Sequence, residues 1–223
     1  MPKKTRKQLT ASLKHEHDYY GQGFRFIVGI DEAGRGPWAG PVAAGAVCLP
    51  LATPNLSQTL AGVRDSKQMT PRQRTQLVET IKQTAMGWGV GSASSADIDR
   101  LGIIPATKLA MHRALAMLQA NSNIEQPDCL FLDAMLWPEM EFIPQVSLIG
   151  GDARSLSIAA ASVIAKVWRD EFMLQLDQAY PQYGFAAHKG YGTAQHQAAL
   201  EKHGPAPVHR HSFAPIRKLL EKE

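Results

Sequence analysis

The sequence is poor in cysteine and has no long apolar run. Only two of its 223 residues are cysteines, Cys48 and Cys129, and both fall in short apolar segments. A secreted domain that depends on disulfides usually carries more, so the pattern indicates buried thiols in a reducing compartment. The sequence leaves a disulfide between the two open. No segment approaches the roughly 20 apolar residues of a membrane-spanning helix, and no secretion signal is recognisable. We therefore expect a cytoplasmic protein with no membrane partner.

Several catalytic and cofactor motifs are also missing. There is no Gly-x-Ser-x-Gly segment, which counts against a serine hydrolase. Gly34-x-Gly36 leads into a second strand where a dinucleotide site needs a helix, and no Gly-Lys-Ser/Thr phosphate loop occurs. His209 and His211 lack cysteine partners, so we expect histidines at the surface or facing phosphate rather than a zinc site.

The charge balance permits a polyanionic partner without requiring one. Lys plus Arg number 24 against 20 for Asp plus Glu, a net charge of +4, and the composition is 44% hydrophobic and 20% charged. These are ordinary values for a globular domain, and the length suits one domain with an appendage. A mild basic excess is compatible with nucleic acid but is not diagnostic of it.

A pair of acids and a glycine loop stand between the first two predicted strands. Residues 26–31 and 42–49 are apolar runs typical of buried strands, and Asp31 and Glu32 close the first of them. Adjacent side chains on a strand point to opposite faces, so the two acids can share a site only where the strand ends. Gly34 and Gly36 indicate such an end and offer a backbone surface for an anionic group.

The rest of the chain predicts an α/β domain. Residues 1–25 are polar and predict a flexible or loosely docked extension, and residues 26–223 predict a mixed sheet flanked by helices with a helical C-terminal segment. Further strands are predicted at 88–93, 129–133 and 145–149. Helices are predicted at 71–85, 105–119, 155–179 and 193–203, with a short helical turn after Ser94 and a loop at 180–192.

Carboxylates recur at the ends of these strands. Asp31 and Glu32 follow the first strand, Asp133 ends another, and Asp152 follows the glycine pair after the last. Ligand sites in open α/β sheets gather at strand ends, and four acids meeting there would repel one another without cations. Mg²⁺ or Mn²⁺ suits an all-oxygen set, and two such ions can activate water for attack on phosphorus.

Seven segments in this order resemble the bacterial type 2 ribonuclease H (ribonuclease HII) family. The resemblance runs from about residue 26 to 217 and rests on residues 29–42, 65–67, 132–133, 151–152, 157–167, 188–193 and 211–217. It implies a ribonuclease-H-like fold and a metal-dependent endonuclease that uses two Mg²⁺ or Mn²⁺ ions. The acids that it makes catalytic and metal-binding are Asp31, Glu32, Asp133 and Asp152.

The resemblance also implies how the substrate is held. The main chain of Gly34, Arg35 and Gly36 would surround a ribonucleotide, and Tyr191 would press on its sugar. Phosphate contacts or site support would come from Lys67, Lys166 and Lys189. Only a 2′-hydroxyl separates RNA from DNA at one position, and glycines allow main-chain groups to approach it.

The implied activity is cleavage of the RNA strand of RNA–DNA hybrids and incision 5′ of single ribonucleotides in duplex DNA. The products would carry 3′-hydroxyl and 5′-phosphate ends, and a monomer is expected. Three positions depart from the family pattern: Ala33, Trp38 and Ala134. Two alternatives stay open, a DNA-only nuclease such as a junction resolvase and a non-catalytic hybrid-binding module.

Overall fold

One mixed sheet of five strands organises the fold. The computed structural model describes residues 10–221, and its strands are β1 (Ile27–Ala33), β2 (Val42–Cys48), β3 (Gly87–Ala93), β4 (Cys129–Asp133) and β5 (Gln145–Leu148). Central β1 is antiparallel to β2 and parallel to β4, while β3 pairs antiparallel with β2 and β5 pairs parallel with β4. The order β3-β2-β1-β4-β5 confirms the predicted mixed sheet.

Helices cover the sheet and form the C-terminal part of the chain. They are α1 (Lys14–Gly21), α2 (Leu56–Thr59), α3 (Pro71–Thr84), α4 (Ser95–Leu101), α5 (Ile103–Ala120), α6 (Gly151–Arg154), α7 (Leu156–Ala179), α8 (Phe185–His188), α9 (Ala194–His203) and α10 (Ala214–Leu220). The predicted strands and the four long predicted helices are present, with ends shifted by at most two residues. The predicted loop at 180–192 also contains a 3-10 turn, Pro181–Tyr183, and α8.

Strand glycines let the two longest helices lie close to the sheet. A Cβ on Gly45 of β2 would stand 2.3 Å from the carbonyl oxygen of Ala161 in α7. On the opposite face, a Cβ on Gly91 of β3 would stand 2.1 Å from the carbonyl oxygen of Ala110 in α5. Because real Cβ atoms do not approach that closely, these glycines set the distance at which helix and sheet pack.

The first half of α7 is buried against the sheet, as its apolar sequence predicts. Residues 156–165 are all buried, and α7 contacts both β1 and β2. Leu174, which the helical pattern places on the buried face, is instead 45% exposed, whereas Met173 is fully buried. The second half of α7 therefore packs through a different side, against the C-terminal segment.

The N-terminal residues from 10 onward are packed against the domain. Ala11 and Leu13 are buried, and Glu16 of α1 is 0% exposed. Glu16 Oε1 accepts hydrogen bonds from the Ser155 hydroxyl (2.6 Å) and from the N–H and hydroxyl of Ser157 (2.8 Å each). A flexible extension therefore does not describe residues 10–25, and residues 1–9 of that prediction lie outside the described part of the chain.

The C-terminal segment has a small core of its own next to the glycine loop. Ala39 packs with buried residues of this segment, among them Tyr183, Phe185, Leu200 and Ile216. This confirms a helical C-terminal segment. Cys48 and Cys129 are buried and free, as predicted for thiols. Among residues 10–221 no helix combines the length and apolarity needed to cross a bilayer.

Candidate active site

Three acids meet where β1 and β4 end. The parallel register of these strands places Asp31 beside Asp133 on one face of the sheet. Asp133 Oδ1 accepts a 2.8 Å hydrogen bond from the main-chain N–H of Gly151, the first residue of α6. Asp152 follows in α6 and is 6% exposed. The start of α6, rather than the end of β5, therefore carries the third acid.

Burial and repulsion between neighbouring acids raise the pKa values of Asp31 and Asp152. Asp31 is 3% exposed, and burial together with the charge of Glu32 holds its pKa well above the usual range. The charges of Asp133 and Asp152 act in the same direction. The pKa of Asp152 is raised to about 6, first by burial and then by a further acid, Asp65. Such a set of acids holds protons or cations more strongly than isolated carboxylates do.

Asp65 also lies beside the acids, although the sequence did not predict it as a site residue. Its Oδ1 accepts a 2.9 Å hydrogen bond from the N–H of Lys67, which fixes a single 3-10 turn. Lys67 in turn places its Nζ 3.7 Å from Asp152 Oδ2. The available signal was the segment Asp65-Ser66-Lys67, one of those on which the family resemblance rests.

Glu32 lies at the margin of the acid cluster. β1 ends one residue later, at Ala33, and Glu32 Oε1 accepts a 3.1 Å hydrogen bond from Arg35 Nη1. Its Oε2 is buried, and no hydrogen-bond donor reaches it from the described residues. A buried carboxylate oxygen without a donor is costly unless a cation or a proton meets it.

The acids fit a divalent metal although they do not surround one. Within residues 10–221, no three carboxylates, imidazoles or thiols are grouped tightly enough to hold an ion. Asp31 accepts from the N–H of Glu32, Asp133 from that of Gly151, and Asp152 faces Lys67. The donors are all oxygen, which suits Mg²⁺ or Mn²⁺. The unpartnered Glu32 oxygen and the raised pKa values also favour a cation.

An open cleft of about 520 Å³ runs beside the acids. It contains most of the predicted substrate residues: Gly34, Arg35, Gly36, Lys67, Lys166 and Tyr191, together with Glu32, Ala33, Ser66 and Arg74. Lys166 Nζ lies 2.6 Å from Asp170 Oδ1, and burial lowers its pKa. Lys189 is not brought into this cleft, because its Nζ donates to the carbonyl of Ala186 and its side chain lines an adjoining groove.

Glycine occurs at positions 34 and 36 of the loop for different structural reasons. Gly34 has a φ of +93°, and a Cβ there would lie 1.9 Å from Arg169 Nε, so the fold itself requires glycine. A Cβ on Gly36 would meet only the Tyr191 ring, at 3.9 Å. Packing within the protein therefore does not require glycine at position 36. The missing side chain instead leaves space beside the Tyr191 ring that a bound molecule can occupy.

Tyr191 stands beside Gly36 on a base of buried histidines. Its side chain is 47% exposed, and its carbonyl oxygen accepts a 3.0 Å hydrogen bond from His196 Nδ1. His196 Nε2 lies 3.1 Å from His209 Nε2. The prediction of a surface or phosphate-facing His209 is therefore wrong, because this residue is 0% exposed and has a structural partner.

The structure also accounts for Trp38. Its N–H donates to the carbonyl of Gly190 (2.8 Å), and its ring centroid lies 5.8 Å from that of His196. A Cβ on Gly192 would come within 2.1 Å of the indole. Trp38 therefore packs against the segment that carries Tyr191.

Known proteins are similar to this chain in sequence and in fold. The sequence model of a family described as ribonuclease HII matches residues 28–216. A ribonuclease HII of Roseiflexus castenholzii is 50% identical over 192 residues, covering 86% of this chain and 83% of the relative. One of Desulfitobacterium hafniense is 47% identical over 214 residues, covering 96% and 78%.

A solved structure, the ribonuclease H2 from Pyrococcus horikoshii OT3, superposes with a TM-score of 0.70 at 25% identity. The match covers 88% of this chain and 97% of that one. This likeness confirms the ribonuclease-H-like fold class.

Proposed function

The chain belongs to the ribonuclease HII family, endonucleases that cut the RNA strand of RNA–DNA hybrids, and from this premise we propose two finer properties. It requires a divalent metal, Mg²⁺ or Mn²⁺. It also incises duplex DNA on the 5′ side of a single ribonucleotide, leaving 3′-hydroxyl and 5′-phosphate ends. The observation that carries the proposal is a set of repelling acids at the head of a cleft lined by lysines, glycines and one exposed tyrosine.

The proposed metal-binding set is the predicted one. Asp31, Glu32, Asp133 and Asp152 would hold two ions, which supply activation of water and stabilisation of the leaving oxygen when bound. Lys67 lies 3.7 Å from Asp152, and the charge of Asp65 helps to raise the pKa of Asp152. The Glu32 oxygen that lacks a donor is the single atom that speaks most directly for a cation.

The proposed specificity comes from the glycine loop and Tyr191. Since Gly36 has no side chain and faces no protein atom at close range, a main-chain group there can approach a 2′-hydroxyl. The exposed Tyr191 ring beside it would pack on the same sugar. Lys67, Lys166 and Arg35 line the cleft and would hold phosphates, which positions a duplex without reading its sequence.

The proposed partners are RNA–DNA hybrids and ribonucleotide-containing duplex DNA, in the cytoplasm. We assign the activity to residues 26–223, with α1 as a support that caps α7. Two free, buried thiols suit a reducing compartment.

The test is cleavage of two matched DNA duplexes, one of which carries a single ribonucleotide. With Mg²⁺ or Mn²⁺ we expect a cut only at the ribonucleotide, on its 5′ side, and no cut in the presence of a chelator. Asp133→Asn keeps an oxygen that can accept from Gly151 but removes a charge, so we expect an at least 100-fold slower cut with duplex binding retained.

Glu201→Gln, a change of an exposed acid on α9, is the control and should cut like the wild type. Equal cleavage of the two duplexes would exclude the ribonucleotide specificity. Activity in chelator, or undiminished cleavage by Asp133→Asn, would exclude the metal assignment.

A further inference from the structure

Two buried arginines lie beneath the glycine loop, defined here as residues 34–41. Arg169 of α7 is 1% exposed and Arg210 of the C-terminal segment is 0% exposed. Neither forms a salt bridge within the part of the chain that the structure describes. Burying a guanidinium without a carboxylate is costly unless its N–H groups find other acceptors.

The acceptors of Arg210 are three carbonyls of the glycine loop. Its Nη2 donates to Gly34 (2.6 Å), its Nη1 to Arg35 (2.8 Å) and its Nε to Gly40 (3.0 Å). Arg169 acts similarly further along the loop, with Nε donating to Pro41 (2.9 Å). The loop is thus held through its carbonyl oxygens by a rigid, charged fork.

This arrangement decides where the loop's N–H groups point. In a trans peptide the N–H lies opposite the C=O, and the carbonyls of Gly34 and Arg35 share their peptide planes with the N–H groups of Arg35 and Gly36. Since both carbonyls face the buried Arg210, both N–H groups face away from it. Neither N–H donates to an acceptor in residues 10–221, and these residues line the open cleft.

We propose that Arg210 is the positioning residue that aims the N–H groups of Arg35 and Gly36 at the 2′-hydroxyl and adjoining phosphate of the substrate. The inference rests on the proposed function and adds to it a residue 175 positions away in sequence. The positive charge behind the two peptides also makes their outward face more attractive to an oxygen atom bearing negative charge.

The main chain around Arg210 supports the same contact. Its N–H donates to the Trp38 carbonyl (2.8 Å), and the Gly40 N–H donates to the Val208 carbonyl (2.9 Å). Asp99 anchors the segment around Arg210, because its carboxylate accepts hydrogen bonds from the main-chain N–H groups of His211 and Ser212. A change at the Arg210 side chain is therefore expected to loosen the glycine loop without detaching the segment.

The experiment compares Arg210→Met and Arg210→Lys in an Asp133→Asn background, where binding is measured without cleavage. The readout is the ratio of affinities for the ribonucleotide duplex and the matched all-DNA duplex. We expect Arg210→Met to lower this ratio about 3–10-fold, the value of one hydrogen bond. We expect Arg210→Lys to lower it less, because a lysine keeps the charge but loses the fork. The exposed Arg217→Met is the matched control and should leave the ratio unchanged.

A general loss of folding would weaken the binding of both duplexes equally, so it would not change the ratio of the two affinities. If Arg210→Met does not fold, Arg210→Lys answers the same question. If Asp133→Asn with Arg210 intact bound the two duplexes equally, the proposed function would be overturned. A preference that persists unchanged in the Arg210 variants would overturn this inference alone.

Amide hydrogen exchange at Trp38 and Gly40 gives a second readout that does not depend on substrate. We expect faster exchange at both amides in the Arg210 variants than in Arg217→Met. Unaltered protection would show that Arg210 does not hold the loop and would overturn the inference.

Discussion

At the scale of single residues, the site contains charged side chains whose burial costs free energy of folding. Asp31 is buried among like charges, and Arg210 is buried without an opposite charge, so burial raises the pKa of the first and lowers that of the second to about 9. Each is tolerated because specific partners meet it, a main-chain N–H for Asp31 and three carbonyls for Arg210. The proposed function therefore requires these partners as well as the charged groups.

Ala134 shows a smaller residue-scale cost next to the site. It follows Asp133 with a φ of +46°, in the left-handed region that a side chain disfavours. We expect Ala134→Gly to raise the free energy of unfolding by about 1 kcal/mol, equivalent to about 2–4 °C in thermal unfolding.

Ala33→Gly is the matched control for that change. Ala33 lies in β1 with an extended backbone, where glycine costs about 0.5–1 kcal/mol. A loss of stability in Ala134→Gly similar to that in Ala33→Gly would contradict the strain at position 134.

Sequence patterns predicted a site at Asp31, Glu32, Asp133 and Asp152 because each acid follows an apolar strand or a glycine turn. They could not identify Arg169 or Arg210, since the acceptors of these side chains are carbonyls that any residue provides. His209 was misjudged for a related reason. A histidine in a polar, proline-rich segment resembles a surface residue until its buried partner, His196, is known.

At the scale of elements, α1 and α7 depend on each other. Ser155 caps α7 by accepting from the N–H of Ile158, and Glu16 of α1 binds Ser155 and Ser157 at the same helix end. A carboxylate there also meets the favourable end of the dipole of a 24-residue helix. This contact explains why a polar N-terminal segment is docked.

Glu16→Gln should therefore destabilise the protein. The amide loses the negative charge that strengthens the three hydrogen bonds accepted by Oε1. We expect a loss of about 1–3 kcal/mol in the free energy of unfolding, measured by urea denaturation. His17→Gln, at an exposed position of the same helix, is the control. If both variants lose the same stability, Glu16 is not a cap.

Two of the elements that the sequence did not predict, α1 and α8, lack an apolar period. α1 contains a single fully buried side chain, which is an acid, and α8 is one turn enclosed by Gly184 and Lys189 in left-handed conformations. The strands and long helices were predicted because burial on one or both faces imposes an apolar pattern on them.

At the scale of the whole molecule, the site is closed by the two ends of the domain. β1 and the glycine loop come early in the chain, β4 and α6 supply the other acids, and the segment with Arg210 returns beneath the loop. The isolated bridge between Ala39 and His209 ties these ends together. The C-terminal segment is therefore part of the site's construction rather than an appendage.

The pH dependence of stability combines groups of opposite sign. Burial lowers the pKa of His196 and of His209 to about 4 from 6.5, so the unfolded state binds more protons between these values and stability falls as pH falls. The pKa of Asp152 is raised to about 6 from 3.8, so the folded state binds more protons there and stability rises as pH falls. Over the shared range the two effects oppose each other.

Divalent ions should separate these effects. At pH 8, which is above the pKa of about 6 of Asp152, we expect Mn²⁺ at about 100 times its dissociation constant to add about 2.7 kcal/mol of stability. At pH 5 protons compete at Asp31 and Asp152, so the same ion concentration should raise the unfolding temperature much less. The histidines contribute equally with and without Mn²⁺, and their effect cancels in the difference. Asp133→Asn should reduce the increment at pH 8. An increment that is equal at both pH values and unchanged in Asp133→Asn would mean that the ion binds elsewhere.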